Sequence, residues 1–365
     1  MLFDVGHREE TRQLARASLW LTRPVPVLKD AIAEHSMGGP NDFYSEGDYW
    51  WPNPVEPDGP YIRRDGYSNP NCFTQHRRFL QDMALCVAHM AVGFCQTGAS
   101  CFAQKAENVL RRWFVDSDTA MTPNLKHAQA IKGVCEGRGI GIIDTVHLAE
   151  CALAVRCLAS SNALSNEIFD GVKCWFTAYI HWLKNSQNGR EERCHPNNHG
   201  ACWFLQAAAF ARLCKDKQTL QESAQAFESF LLPMMDNRGG FPAELARTKP
   251  YGYSIFQLDV LCALAVILSW DGTNWFRKED KKGHSLALAM SFLYPYLENK
   301  TSWRFPKDVM YWDKLPNRPS SLIFCGHFLD CDDYIALWHH LPWSIRTHEI
   351  LRNTPVRIPQ LWIQS

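Results

Sequence analysis

The sequence predicts an all-α fold, an incomplete (α/α) toroid with long loops forming a substrate groove, over a single domain spanning residues 1–365. Three observations carry this. Apolar residues recur at helical spacing through most of the chain, giving roughly ten helices of about 12–18 residues, while strand alternation is nearly absent. The helices come in pairs, with long loops between alternate members. No linker rich in Ser, Gly or Pro divides the chain.

Taken in order, residues 8–35 show helical periodicity that Pro24 and Pro26 interrupt. Residues 38–71 form a long loop dense in Trp, Tyr, Arg, Gly and Pro. A loop of that length is functional or disordered, and its aromatic content argues against disorder. Helices are expected at 79–95 and at 100–114, the second with Lys105, Glu107, Arg111 and Arg112 outside. Residues 116–136 read as a loop containing Gln129. The glycines of Gly137-Arg138-Gly139-Ile140-Gly141 lack a preceding strand and a following βαβ pattern, so no dinucleotide loop is assigned. They read as a tight turn into a helix capped by Asp144, running to 159. Further helices are expected at 168–184, 199–214, 220–232 (stopping at Pro233), 253–269, 283–294 and 332–339.

Composition bounds the function. Lys and Arg total 38, as do Asp and Glu, so the formal charge is zero, without the basic excess of a nucleic-acid or membrane-surface protein. No apolar run of about 18 residues appears, so no membrane-spanning helix is expected. The charged N-terminus does not read as a signal peptide, which points to the cytoplasm unless a signal has been removed. The 14 cysteines show no CxxC spacing, and Cys151, Cys157, Cys202, Cys214 and Cys262 fall inside apolar runs. They read as reduced, buried thiols.

The candidate chemistry begins at Asn197-Asn198-His199-Gly200, between a polar loop at 185–196 and an apolar, Ala-rich helix. Asn197 or Asn198 caps that helix, placing His199 in its first turn. A helix N-terminus offers free N–H groups and partial positive charge, so two amides and an imidazole there could seat a carboxylate. A plain capped helix has the same spacing. His195 and His199 are four apart but in a non-helical segment, so no metal site is assigned. Arg247, Tyr251 and Tyr253 lie around Pro250 and Gly252 just before the next apolar helix, an electropositive, aromatic loop.

Together these segments resemble the alginate lyase superfamily of polysaccharide lyases, in particular the branch with bacterial alginate and glucuronan lyases. The resemblance covers about residues 38–295 and rests on five segments. They are Ser45-Glu46-Gly47-Asp48-Tyr49-Trp50-Trp51-Pro52, Tyr61-Ile62-Arg63-Arg64-Asp65-Gly66, Gly137-Arg138-Gly139 through Asp144-Thr145, Asn197-Asn198-His199, and Glu244-Leu245-Ala246-Arg247-Thr248 with Tyr253-Ser254. The tail holding Cys325, Cys331 and His339-His340 is not matched.

The resemblance implies β-elimination on a β-1,4-linked uronan, with alginate ahead of glucuronan and no cofactor. Asn198, His199 and Arg247 would neutralise the uronate carboxylate and Tyr253 would move the proton, with Tyr251 the rival tyrosine and His199 the rival base. A nearby Arg247 or protonated His199 would lower the Tyr253 pKa. Arg63, Arg64, His76, Arg77, Arg138 and Gln129 are candidate contacts to an anionic polysaccharide, and Trp50, Trp51 and Trp203 candidate stacking platforms. An α/α-toroid glycoside hydrolase is the alternative. The oligomeric state is not legible.

Overall fold

The structure, a computed structural model, describes residues 2–344 and 347–363. Its helices are α1 (Leu2–Thr22), α2 (Gln75–Thr97), α3 (Ser100–Leu110), α4 (Leu148–Ser160), α5 (Asn166–Asn185), α6 (Gln187–Arg193), α7 (Asn198–Cys214) and α8 (Lys217–Ala226). After these come α9 (Pro242–Leu245), α10 (Pro250–Leu268), α11 (Leu286–Glu298), α12 (Ser320–Leu329), α13 (Asp332–His340), α14 (His348–Arg352) and α15 (Pro359–Ile363).

Among the described residues, α2, α4, α7, α10 and α12 form an inner row whose neighbours run in the same direction. The contacts fix that direction. Arg77 in the first turn of α2 meets Asp144 just ahead of α4, while Cys95 and Cys157 meet at their far ends. Thr145 pairs with Gln206 and Arg156 with the Arg212 carbonyl, aligning α4 with α7. Arg212 reaches the Ile267 carbonyl at the far end of α10, and Asp259 and Cys262 of α10 meet Ser321 and Cys325 of α12. Helices α1, α3, α5, α8, α11 and α13 alternate with this row in the chain. This is the expected toroid.

Burial explains the two rows. Along α10 every residue from Tyr253 to Leu268 is buried, and apart from Ser254, Gln257 and Asp259 apolar side chains cover all its faces, as on a central helix. By contrast, α5 buries one stripe, Ile168, Val172, Trp175, Phe176, Tyr179, Ile180 and Leu183. One hydrophobic cluster runs from Ala17 to Trp362. Contrary to the sequence expectation, two spans, Gln75–Thr97 and Pro250–Asp271, are long and apolar enough to cross a membrane. They lie 67% and 89% inside the fold, as core helices do.

The loops carry structure that periodicity did not reveal. Strand β1 (Tyr44–Glu46) pairs in parallel with β4 (His127–Ala130), and β2 (Trp50–Trp51) pairs antiparallel with β3 (Ile62–Arg63). The polar segment 185–196, expected as loop, contains α6. Asp144 is not a helix cap. It lies in a 3-10 turn, Gly139–Thr145, where Ser45 Oγ donates to it at 2.6 Å and Gln129 Nε2 at 3.1 Å. The N-terminal ends of α7 and α10 open onto these loops, and a groove of about 260 Å³ lies between them.

Candidate active site

Asn197 caps α7 as its residue type predicts, its side chain accepting from the His199 N–H at 3.1 Å. This leaves Asn198 and His199 in the first turn, both lining the groove. Each is oriented by a buried carboxylate that sequence reading did not single out. Glu244 Oε1, on α9, accepts from the Asn198 backbone N–H at 2.8 Å and from its Nδ2 at 2.7 Å. An amide nitrogen carries two hydrogens, so one remains for another acceptor. Burial pushes the Glu244 carboxyl up, while the two Asn198 N–H donors and the Arg247 charge pull it back.

Glu192 Oε1, on α6, lies 2.7 Å from His199 Nδ1 and is 1% exposed. Its carboxylate fixes the proton on Nδ1, so Nε2 remains for the groove. Neutral, Nε2 offers a lone pair; protonated, it donates. The close turn from α6 into α7 depends on Gly200, where a Cβ would stand 2.3 Å from the His195 carbonyl oxygen.

Across the groove, Asp65 clamps Arg247 in a two-point pair, Oδ2 to Nε at 3.1 Å and Oδ1 to Nη2 at 2.9 Å. Arg63 and Thr248 also donate to Asp65, at 2.7 and 2.9 Å. Burial pushes the Asp65 carboxyl up, but the Arg247 and Arg63 donors outweigh it and hold it well below the usual carboxylate range. Gly66 next to it has φ +79°, and a Cβ there would meet Thr248 Oγ1 at 2.3 Å. The clamp leaves Arg247 Nη1 uncommitted to Asp65 and sets the guanidinium 4.6 Å over the Tyr253 ring.

The Tyr253 hydroxyl lies 2.7 Å from that of Tyr49. Tyr49 in turn is 3.0 Å from Glu349 Oε1 and receives Arg352 Nη2 at 3.2 Å. Lys249 closes on the same Glu349 oxygen, and Arg352 pairs with Asp48. A carboxylate can only accept, so Tyr49 spends its one proton on Glu349 and Tyr253 donates to Tyr49. The expected pull of Arg247 on the Tyr253 pKa is present but does not set the net direction. Burial pushes the phenol above its ordinary 10.0, and the Arg247 charge and the Tyr49 hydrogen bond, which both pull it down, do not cancel that effect.

Of the residues expected to meet substrate, the structure brings Trp50, Arg63, Gln129 and Arg138 to the groove with the four above. Arg138 donates to the Gln129 carbonyl and Oε1 at 3.1 and 3.0 Å and stacks 5.7 Å over Trp50. Gln129 holds φ +50°, which presents its side chain to both Arg138 and Asp144.

The others are corrected. Trp203 is 1% exposed and belongs to the core. Tyr251 is buried, donating to the Tyr296 carbonyl at 3.0 Å and packing edge-on against Trp303, which removes it as the rival to Tyr253. His76 is a buried spacer: the Tyr44 N–H donates to its Nδ1 at 3.1 Å, and Nε2 lies 2.9 Å from the Ala31 carbonyl. Arg77 is buried beneath the groove, tied to Asp48 at 2.7 Å and Asp144 at 3.2 Å. Trp51 and Arg64 stack on each other at 5.3 Å outside the groove lining, and Trp51 Nε1 donates to the Tyr67 carbonyl. Periodicity places a residue on an element but does not say which way a loop or helix face turns.

The residues sequence reading missed are Tyr49, Asp65, Glu192, Glu244, Glu349 and Arg352. Glu244 stands three residues before Arg247, Tyr49 precedes the tryptophan pair and Asp65 follows Arg63-Arg64, so all three fall within the segments that carry the resemblance. Glu349 and Arg352 carried no signal, lying about 300 residues from Tyr49.

The family model for alginate lyase matches residues 27–303. The crystal structure of an alginate lyase from Bacteroides ovatus is 30% identical, covers 97% of this chain and 92% of its own, and superposes with a TM-score of 0.85. Alginate lyase A1-III from Sphingomonas species A1 is 16% identical over 86% of this chain and 84% of its own, with a TM-score of 0.55. A histidine-to-alanine variant of A1-III complexed with a tetrasaccharide is 15% identical over 89% and 88%, with a TM-score of 0.59. These last two share the fold. No curated protein matches the chain.

Proposed function

The chain belongs to the alginate lyase family of polysaccharide lyases, and from that premise we propose that it cleaves a β-1,4-linked uronan, polymannuronate first, by β-elimination at this groove. The observation that carries the reading is the juxtaposition of Asn198 and His199, at a helix N-terminus, with Arg247 stacked on Tyr253 in one groove.

The chemistry asks for these groups. Elimination removes the C5 proton next to a carboxylate and expels the oxygen at C4. That proton is a poor acid because its loss piles charge onto an anion. Asn198 Nδ2, the His199 ring and Arg247 Nη1 surround the carboxylate and stabilise the enolate-like transition state. Each preorganised donor is worth about 3–4 kcal/mol by analogy with oxyanion-hole donors. Glu244, Glu192 and Asp65 hold the three donors in place, so little reorganisation is needed when charge develops.

Tyr253 acts from its phenolate. Arg247 over the ring stabilises that form, and so does Tyr49 as its hydroxyl turns from Glu349 to the phenolate oxygen. The phenolate takes the C5 proton, and the resulting phenol returns a proton to the departing O4. One residue serves both steps where the two groups share a face of the sugar, as in mannuronate and glucuronate, which differ only at C2. Guluronate places them on opposite faces, and neutral His199 Nε2 then supplies the base. Because burial holds the phenol above 10.0, turnover rises with pH into the alkaline range.

The test is incubation with polymannuronate, polyguluronate and glucuronan while following ultraviolet absorbance. Polymannuronate is expected to give the strongest rise, from the C4=C5 bond conjugated with the carboxylate. New reducing ends without absorbance would make the enzyme a hydrolase, and neither signal on any polymer would overturn the reading.

A further inference from the structure

A second cluster of reactive groups lies at the opposite end of the inner helices. Cys95, in the last turns of α2, and Cys157, in α4, place their sulfurs 2.9 Å apart although 62 positions separate them in sequence. Cys95 is exposed. A disulfide needs a sulfur separation of about 2.05 Å, so closing the pair asks for a shift of under about 1 Å. Among the described residues, Cys262 and Cys325 also meet, at 3.7 Å, but both are buried.

A cavity of about 460 Å³ opens beside Cys95 and Cys157. Gln13 Oε1, Arg156 Nε and Gln360 Oε1, all on residues lining it, are buried without a hydrogen-bond partner. The cavity leaves room beside the two sulfurs for the attacked end of a low-molecular-weight oxidant. The contact between the two thiols favours one thiolate in the pair, lowering Cys95 and raising Cys157, and Cys95 is the exposed partner that an oxidant reaches. Attack thus starts at Cys95.

We propose that Cys95 and Cys157 are a modification site, forming a reversible disulfide that staples α2 to α4 at the end of the toroid away from the groove. The oxidant is a low-molecular-weight disulfide such as oxidised glutathione. Cys95 thiolate attacks one of its sulfurs, breaking that S–S bond and releasing one glutathione thiolate. Cys157, giving up its proton, attacks the Cys95 sulfur and displaces the second. The protein dithiol loses two electrons, the oxidant gains them, and the two thiol protons end on two glutathione thiols. At about 1.5 Å rise per residue, Cys95 is ~27 Å along α2 from Arg77, so the staple leaves the groove untouched.

The full-length enzyme is incubated with oxidised glutathione, its free thiols are counted after denaturation, and it is mapped by mass spectrometry without reduction. The expected result is a fall from 14 thiols to 12, a Cys95–Cys157 peptide pair lighter by two hydrogens, and a raised Tm that dithiothreitol reverses. Cys157→Ser should instead leave glutathione on Cys95, with catalytic rate unchanged. Glutathione on Cys101, Cys174 or Cys194 with Cys95 and Cys157 still reduced would overturn the proposal, as would separate adducts on the two thiols or pairing of either with another cysteine. Peptide mapping of the unmutated enzyme decides the matter even if the variant does not fold.

Discussion

Tyr49→Phe removes one hydroxyl and tests how Tyr253, the proposed proton-transfer group, is tuned. In the resting enzyme Tyr253 donates to Tyr49 at 2.7 Å, and Tyr49 donates to Glu349 at 3.0 Å. In the phenolate form Tyr49 turns its proton to Tyr253. The first is a hydrogen bond between neutral groups, worth about 0.5–1.5 kcal/mol, and the second reaches a charge, worth about 1.5–3 kcal/mol. Glu349 keeps Lys249 and Ser68 as donors when Tyr49 turns away, so the difference, at most about 1–1.5 kcal/mol, sets an upper limit of roughly one pKa unit. The Tyr49 hydrogen bond pulls the Tyr253 pKa down, so its loss raises it further. The ascending limb of kcat against pH should move up by at most about one unit, and kcat at a fixed pH on that limb should fall by at most about tenfold. KM should change little, because Asn198, His199 and Arg247 are held by other partners. The assay is initial rate by ultraviolet absorbance on polymannuronate across the alkaline range. A profile lowered equally at every pH would mean a merely structural loss and refute the tuning role; so would a profile that does not move.

Tyr253→Phe should abolish turnover while oligosaccharide still binds, measured by calorimetry beside the rate assay; near-normal turnover would remove Tyr253 from the mechanism. Glu192→Gln keeps an acceptor for His199 Nδ1 but exchanges a charge-assisted bond for a neutral one, so kcat/KM should drop about tenfold, from roughly 1–1.5 kcal/mol. Asp65→Asn loosens the two-point grip on Arg247 and should cost about 10–100-fold in kcat/KM, a loss of roughly 1.4–2.8 kcal/mol; an unchanged value would show that Arg247 needs no clamp. Burial, reinforced by nearby Arg charges, holds His89 and His147 down to about 3, so both stay neutral in the fold. Their contribution to stability is complete above their ordinary 6.5 and is lost as pH falls toward about 3. Calorimetric Tm should decline over that window, and His89→Gln should flatten the decline; an equally steep one would sink the assignment.

Legibility in the sequence followed the physics of each signal. Inner helices are apolar over long stretches, so α7 and α10 were visible from composition and spacing, and the Asn197 cap from residue type. The catalytic candidates stood out because they sit at helix starts, where an Asn-His pair or an Arg beside a Tyr departs from the apolar pattern. Direction of approach was not legible. Trp203 and Tyr251 looked like groove residues but turn into the core, and His76 and Arg77 brace the loops from below. Carboxylates such as Glu192 and Glu244 are ordinary surface residues by type. Only folding shows that they are buried against His199 and Asn198.

Arg352 and Glu349 meet Tyr49 after an intervening stretch of about 300 residues. On a ribosome adding ~5–20 residues per second, that interval is ~15–60 s. Until residues 349–352 are made, Tyr49 lacks its acceptor, Lys249 its carboxylate and Asp48 one of its two arginines. Inner helices can pack while the chain is still growing, but Tyr49, the hydrogen-bond partner of Tyr253, cannot take its final contacts. Fold and site thus have different completion times: a nascent chain that has reached residue 303, where the family match ends, still lacks Glu349 and Arg352 and with them the network behind Tyr49.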